Sequence, residues 1–251
     1  MEELSLKNCR ETFHDVKEIK ERILDEFIYG KLTLKERAFA ESLSRQLLVK
    51  VRAFYKQLRQ APEELDELNK ILLETYFCNF SVFQSLPDSW AIDQLFPVMP
   101  IHRLNQTPSH EAVLADLTCD SDGKIDHFIS ESASTRTLNL HEYTGEPYFV
   151  GIFLVGAYQE ILGGLHNLFG DTNVVHAELA EDGQWELSRL VEGDTIEEVL
   201  HYVQYNTENL MIQLYELLER ALKTGRISAT ESAQIKKMFK QSLESYTYLV
   251  V

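Results

Sequence analysis

Two short stretches of this chain combine residue types that can move protons and hold ions. Leu117-Thr118-Cys119-Asp120-Ser121-Asp122-Gly123 sets a thiol beside a carboxylate, with a second carboxylate two residues on and a glycine to turn the chain. Val155-Gly156-Ala157-Tyr158-Gln159-Glu160 carries one tyrosine hydroxyl out of a turn of small residues. A thiol can donate a proton, a carboxylate can bind a cation, and a hydroxyl can bond a phosphate. Each also has a plainer role. Cysteine is often a small buried hydrophobe, Asp-Gly is a common turn, and a tyrosine at a strand end is an ordinary amphipathic residue.

The elements that must position these residues follow from hydrophobic spacing. Val113-Leu114-Ala115 predicts a buried strand ending near Cys119, and Phe149 to Val155 a strand ending just before Tyr158. Strand ends and the loops after them are where rigid scaffolds hold reactive groups. Gln159 to Phe169 has Ile161, Leu162, Leu165 and Leu168 at helical spacing, so the second strand is expected to feed a helix. Lys124 to Ile129 predicts a short strand after the Asp122-Gly123 turn. Val174 to Leu179 and Trp185 to Val191 flank Glu181-Asp182-Gly183-Gln184 and predict a hairpin.

Both ends of the chain read as helical. Val16, Ile19, Ile23, Leu24 and Phe27 form one stripe, and Leu43, Leu47, Val51, Phe54 and Leu58 a second. Gly30 separates them, and Thr33 with Glu36 has capping-box form. Pro62 opens a third helix with Leu65, Leu68, Leu72 and Tyr76. After Gly193, Thr195 with Glu198 and Ser228 with Glu231 repeat the capping signal. Stripes follow at Leu210, Leu214, Leu217 and Leu218, and at Ile235, Met238, Phe239 and Leu243. The expected architecture is α+β. A helical bundle covers 1–77, a β-rich barrel domain with both blocks covers 78–194, and a helical domain covers 195–251.

Composition excludes several function classes. A formal net charge of −16 argues against nucleic acid as a partner, although it can attract cationic substrates. Cys9, Cys78 and Cys119 make no CxxC pair, which suits a reducing compartment and a cytoplasmic protein. No apolar run approaches the ~18 residues of a membrane span, and Glu2 and Glu3 spoil a signal peptide. His102, His110, His127, His166 and His176 show no metal-ligand spacing and read as solvated or core histidines.

Four blocks in order resemble a known family. They are Asn79-Phe80-Ser81-Val82-Phe83-Gln84-Ser85-Leu86-Pro87-Asp88-Ser89-Trp90, Ile92-Asp93-Gln94-Leu95-Phe96-Pro97, the Cys-Asp block, and the run GAYQEILGGLHNLFGDT from Gly156. They resemble the C-terminal part of biosynthetic arginine decarboxylase, a pyridoxal-phosphate enzyme of the alanine-racemase-like fold type. The resemblance implies conversion of L-arginine to agmatine and CO2 for polyamine (spermidine) biosynthesis, with magnesium as an associated ion. Cys119 matches the thiol that protonates the substrate carbon, and Asp120 the carboxylate that holds the guanidinium across a dimer interface. Asp122 is either a second acceptor or a turn residue. Asp88 aligns with another substrate-facing carboxylate, with Asp93 as its rival. Tyr158 matches the tyrosine that bonds the cofactor phosphate.

In that family the cofactor sits on a lysine of a β/α-barrel, which needs ~250 residues by itself. No alternating strand–helix series is present here, so the expectation is a C-terminal portion lacking the barrel and inactive alone. It would work as a homo-oligomer (dimer or tetramer) or with a separate barrel chain. The alternative is a non-catalytic remnant that binds and regulates a decarboxylase. A decarboxylase for another basic amino acid is a third reading.

Overall fold

Helices in the first part of the chain start and stop where the capping and breaking residues stand. Helix α1 (Cys9–Ile28) ends before Gly30, whose φ is +70°. Helix α2 (Leu34–Tyr55) opens on a reciprocal cap: Glu36 N–H donates to the Thr33 hydroxyl at 3.3 Å, and Thr33 N–H to the Glu36 carboxylate at 2.8 Å. Helix α3 (Glu64–Leu72) follows Pro62. The computed structural model describes residues 4–58, 60, 62–130 and 133–250, and divides into two compact units, Met1–Glu74 and Thr75–Val251. The helical reading of residues 1–3 lies outside the described residues.

Within the first unit, Cys9, Phe13 and Val16 pack with Leu48, Val51, Tyr55, Leu68 and Leu72. The buried arc of α2 is Ser44, Leu48, Val51 and Tyr55; it shares Val51 with the expected stripe, but Ser44 and Leu48 lie one residue, about 100°, round from Leu43 and Leu47. Leu43 and Leu47 stay exposed, as do Ile19 and Leu24 of α1. At 100° per residue a helix in a small bundle buries one arc, and this sequence offers more apolar residues than the arc can take. Tyr76 is also not helical. It lies in strand β1 (Glu74–Phe77) and packs in the core of the second unit.

In the second unit β1 pairs with β3 (His110–Ala115). On β3, Leu114 faces Ile125 of β4 (Lys124–Ile125), and Glu111 faces Asn139 of β7 (Leu138–Leu140). Strand β2 (Val98–Pro100) pairs with β8 (Val150–Ile152), β5 (Phe128–Ser130) with β6 (Ala133–Thr135), and β9 (Val174–Leu179) with β10 (Trp185–Val191). Val82, Leu86, Ala112, Leu114, Ile125, Phe128 and Leu140 form the core.

Among the described residues these strands make one four-stranded and three two-stranded sheets and do not close into the expected barrel. The ladders are too short. The strand expected over 124–129 breaks at Asp126-His127 into β4 and β5. The one expected over 149–155 shrinks to 150–152 before Leu154 turns to φ +57°. The hairpin 174–191 forms as expected, with Gly183 at φ +80°.

Helices α4 (Val82–Ser85), α5 (Pro87–Ala91) and α6 (Tyr158–Leu162) are single turns beside the sheet. Helices α7 (Ile196–Tyr202), α8 (Thr207–Lys223) and α9 (Ala229–Leu243) close the chain, capped by Thr195, Asn206 and Ser228. They belong to the same compact unit as the strands. The tail after α9 is bound to it: Tyr248 donates to Gly170 O at 2.8 Å, and Leu249 N–H to Asn79 Oδ1 at 3.0 Å. Among the described residues no helix is long and apolar enough to cross a membrane.

Candidate active site

One buried carboxylate fixes the loop that follows β3. Asp116 is only 2% exposed. Its Oδ2 accepts from Val82 N–H at 2.8 Å, and its Oδ1 from Thr118 N–H at 2.8 Å and the Thr118 hydroxyl at 2.6 Å. The loop also closes on itself, with Asp116 N–H on Gly123 O at 2.8 Å and Gly123 N–H on Asp120 O at 3.1 Å. Gly123 sits so close that a Cβ there would overlap the Asp116 carboxylate and the Thr118 hydroxyl. The sequence Asp116 to Gly123 thus folds into a pinned turn with Cys119 and Asp120 at its outer edge.

Cys119 is the exposed member of the three free cysteines. Cys9 is buried, and burial pushes the Cys78 thiol up to about 11. The Cys119 sulfur accepts from Asn167 Nδ2 at 3.3 Å. Asp120 Oδ1 accepts from Asp122 N–H at 2.9 Å, and Asp120 Oδ2 lies 3.3 Å from His166 Nε2. The exposed Asp122 contributes its backbone to this turn.

Both partners of the Cys-Asp pair come from a stretch expected to be helix. The helix stops at Leu162 because Gly163 and Gly164 follow, and a Cβ on Gly163 would overlap the Gln84 carbonyl. Gly164 N–H instead bonds Phe83 O at 3.0 Å. Asn167 and Leu168 take left-handed backbone (φ +56° and +62°), which asparagine tolerates better than most residues. That path lays the His166 ring on Phe83, centroids 4.3 Å apart. His166 is therefore not a core histidine: it is exposed, with its ring against Phe83. Asn167 was not singled out in the sequence; the Gly-Gly break ahead of it is the signal that could have found it.

The remaining expected residues lie elsewhere on the same unit. Asp88 is half-buried, and its Oδ2 accepts from Gln159 Nε2 at 2.6 Å while Gln159 Oε1 accepts from Asp88 N–H at 3.1 Å. Asp93 is exposed, at φ +55°. Tyr158 is 75% exposed at the start of α6. No hydrogen bond joins Asp88, Asp93 or Tyr158 to Cys119 or Asp120 among the described residues. Elsewhere, the buried Gln84 donates through Nε2 to Oδ1 of Asp171, an exposed residue whose carboxyl is partly covered, and Asp171 N–H donates to Asp194 Oδ2 at 2.8 Å. Burial first, then the Asp194 charge, raise the Asp171 carboxyl, and the Gln84 bond offsets part of the rise.

Comparison with known proteins shows what the chain is similar to. Residues 1–69 match the arginine decarboxylase helical bundle domain, and residues 196–249 match the arginine decarboxylase C-terminal helical extension. The biosynthetic arginine decarboxylase of Nostoc sp. is 48% identical over 247 residues, 98% of this chain. The chain belongs to the arginine decarboxylase family. The biosynthetic arginine decarboxylase of Gloeobacter violaceus is 49% identical over 96% of the chain. The crystal structure of the biosynthetic arginine decarboxylase of Campylobacter jejuni superposes over 99% of the chain, with a TM-score of 0.71 at 32% identity. The chain spans well under half the length of these decarboxylases: 36% of the Nostoc relative and 38% of the Campylobacter one.

Proposed function

We propose that this chain supplies the Cys-Asp portion of a pyridoxal-phosphate-dependent arginine decarboxylase site. The remainder would come from a barrel portion, on a partner subunit or a separate chain. One observation carries the reading: Cys119 and Asp120 stand at the edge of a turn pinned by the buried Asp116 and braced by Asn167 and His166. A buried structural thiol would not be exposed there, and a turn aspartate has no need of a second-segment brace.

Asp120 offers two carboxylate oxygens to a planar guanidinium, a match that permits paired hydrogen bonds. Cys119 Sγ then delivers a proton to the substrate carbon that has lost CO2. The Asn167 amide holds that sulfur in place. The exposed Tyr158 hydroxyl, beside Gly156 at φ +79°, is open to a phosphate oxygen and fits one contact of the cofactor. When bound, pyridoxal phosphate supplies the electron sink for loss of the carboxylate. Magnesium fits less well. Among the described residues no cluster of three or more His, Cys, Asp or Glu could hold a metal ion, and no step is assigned to one.

The same reading takes residues 78–194 as a β-rich domain that carries both blocks. Helical domains over 1–77 and 195–251 flank it, in a cytoplasmic homo-oligomer or a complex with a barrel chain. The test is to assay agmatine and CO2 release from arginine by this chain alone, and by this chain mixed with the barrel portion of the Nostoc relative. Activity is expected only in the mixture. If that barrel portion is activated by its own C-terminal part but not by this chain, the reading fails.

A further inference from the structure

Asp120 is half-buried, and a carboxylate with that much freedom visits several side-chain orientations unless something holds it. One oxygen is held by its own turn, through Asp122 N–H at 2.9 Å. The other is met from a different segment, by His166 Nε2 at 3.3 Å. A carboxylate only accepts, so a hydrogen bond across this contact requires the proton on Nε2.

The imidazole, although exposed, has a contact of its own. Its ring rests on Phe83 at 4.3 Å, and Phe83 is 6% exposed with Trp90 edge-on at 5.2 Å. Gly164 N–H bonds Phe83 O at 3.0 Å, so the backbone just before His166 is tied to the residue beneath its ring. Phe83 follows Val82, whose N–H is bound by Asp116. The carboxylate and the imidazole that meets it are thus referred to one short helical turn, Val82–Ser85, and cannot drift independently.

We propose that His166 is a positioning residue that locks the Asp120 carboxylate in the orientation that receives the distal cation of the substrate. This rests on the reading that Asp120 holds the arginine guanidinium. His166 touches no reacting atom. Its contribution is pre-organisation: a carboxylate fixed before binding costs less ordering when the cation arrives. Loss of the contact therefore falls on substrate binding rather than on the proton step at Cys119.

Two substitutions separate this from a packing role. His166→Phe keeps a ring on Phe83 and removes the N–H; His166→Gln keeps an N–H donor and removes the ring. In the assembly with the Nostoc barrel portion, His166→Phe is expected to raise the KM for arginine about threefold to tenfold, with kcat changed far less. His166→Gln should recover most of that loss. If His166→Phe leaves KM unchanged, or if His166→Gln is as poor as His166→Phe, the inference is wrong while the decarboxylase reading stands. A second measurement needs no activity. Nitrogen NMR of the chain alone should show His166 as the Nε2–H tautomer and a mixed population in Asp120→Ala. If the assembly is inactive, this measurement decides: an unchanged tautomer population in Asp120→Ala overturns the lock.

Discussion

The Asp116 carboxylate and the Val82 backbone N–H meet at 2.8 Å, joining the end of β3 to the first residue of α4. This bond ties the Cys119–Asp120 turn to the turn that carries Phe83 and Gln84. It also satisfies an N–H at a helix start, where no intrahelical partner exists.

Asp116→Ala is expected to destabilise the second unit by about 2–4 kcal/mol, because three donors lose their acceptor in a buried setting. Chemical denaturation of the two proteins checks this. A change below about 0.5 kcal/mol, the level of ordinary surface substitutions, would show that the bond is dispensable. Gly123→Ala should act on the same turn from the other side. Its Cβ overlaps the Asp116 carboxylate and the Thr118 hydroxyl, so the Asp116 bonds must lengthen or the turn must shift.

Asp171 gives a pH signature. Its folded carboxyl is raised above the ordinary value of 3.8, by burial first and by Asp194 second. A raised carboxyl favours folding below the unfolded value, and that contribution is lost as pH rises through the folded value. At neutral pH the ionised Asp171 is therefore a net cost to the fold. Asp171→Asn removes that cost. The Tm of Asp171→Asn minus that of the parent should grow from acid to neutral pH. A difference that is flat or shrinks over about pH 3 to 7 would contradict this.

Thiol chemistry should single out one cysteine. Cys9 is buried, Cys78 is held high by burial, and Cys119 is exposed. Brief treatment of the native chain with iodoacetamide should modify Cys119 first, as read by peptide mass spectrometry. Equal labelling of Cys78 in the folded protein would contradict the burial described here.

Local signals in the sequence survived into the structure where the chemistry is local. The Asp182-Gly183 turn gave the hairpin, and the Thr33, Thr195 and Ser228 caps mark three helix starts. Two of the failures involve longer-range packing. The apolar stripe of α2 named Leu43 and Leu47, but the other helices meet Leu48 and Tyr55. The helix expected over 159–169 has the right spacing, yet Gly163 is pressed against the Gln84 carbonyl, a contact no spacing rule contains. The irregular path after it brings His166 and Asn167 to the Cys-Asp pair. The Cys-Asp block itself was visible, because a thiol beside a carboxylate in a turn is unusual in type; its partners were not, because histidine and asparagine are ordinary in loops.

The last expectation separates the two residues of the pair in an assembled enzyme. Cys119→Ala should leave arginine binding largely intact and damage the step after CO2 leaves. Without the thiol the proton is not delivered to the substrate carbon; in an enzyme carrying pyridoxal phosphate, protonation elsewhere followed by hydrolysis with water would release an aldehyde in place of agmatine. Asp120→Ala should fail earlier, at binding, by removing a charge-assisted contact worth about 1.5–3 kcal/mol, which is roughly a ten- to hundredfold rise in KM. Product analysis and KM together distinguish them: aldehyde with a near-normal KM for the cysteine change, agmatine with a high KM for the aspartate change. If both variants release agmatine alone with unchanged KM, the turn 116–123 is a structural element, and the braces from His166 and Asn167 serve only to hold it closed.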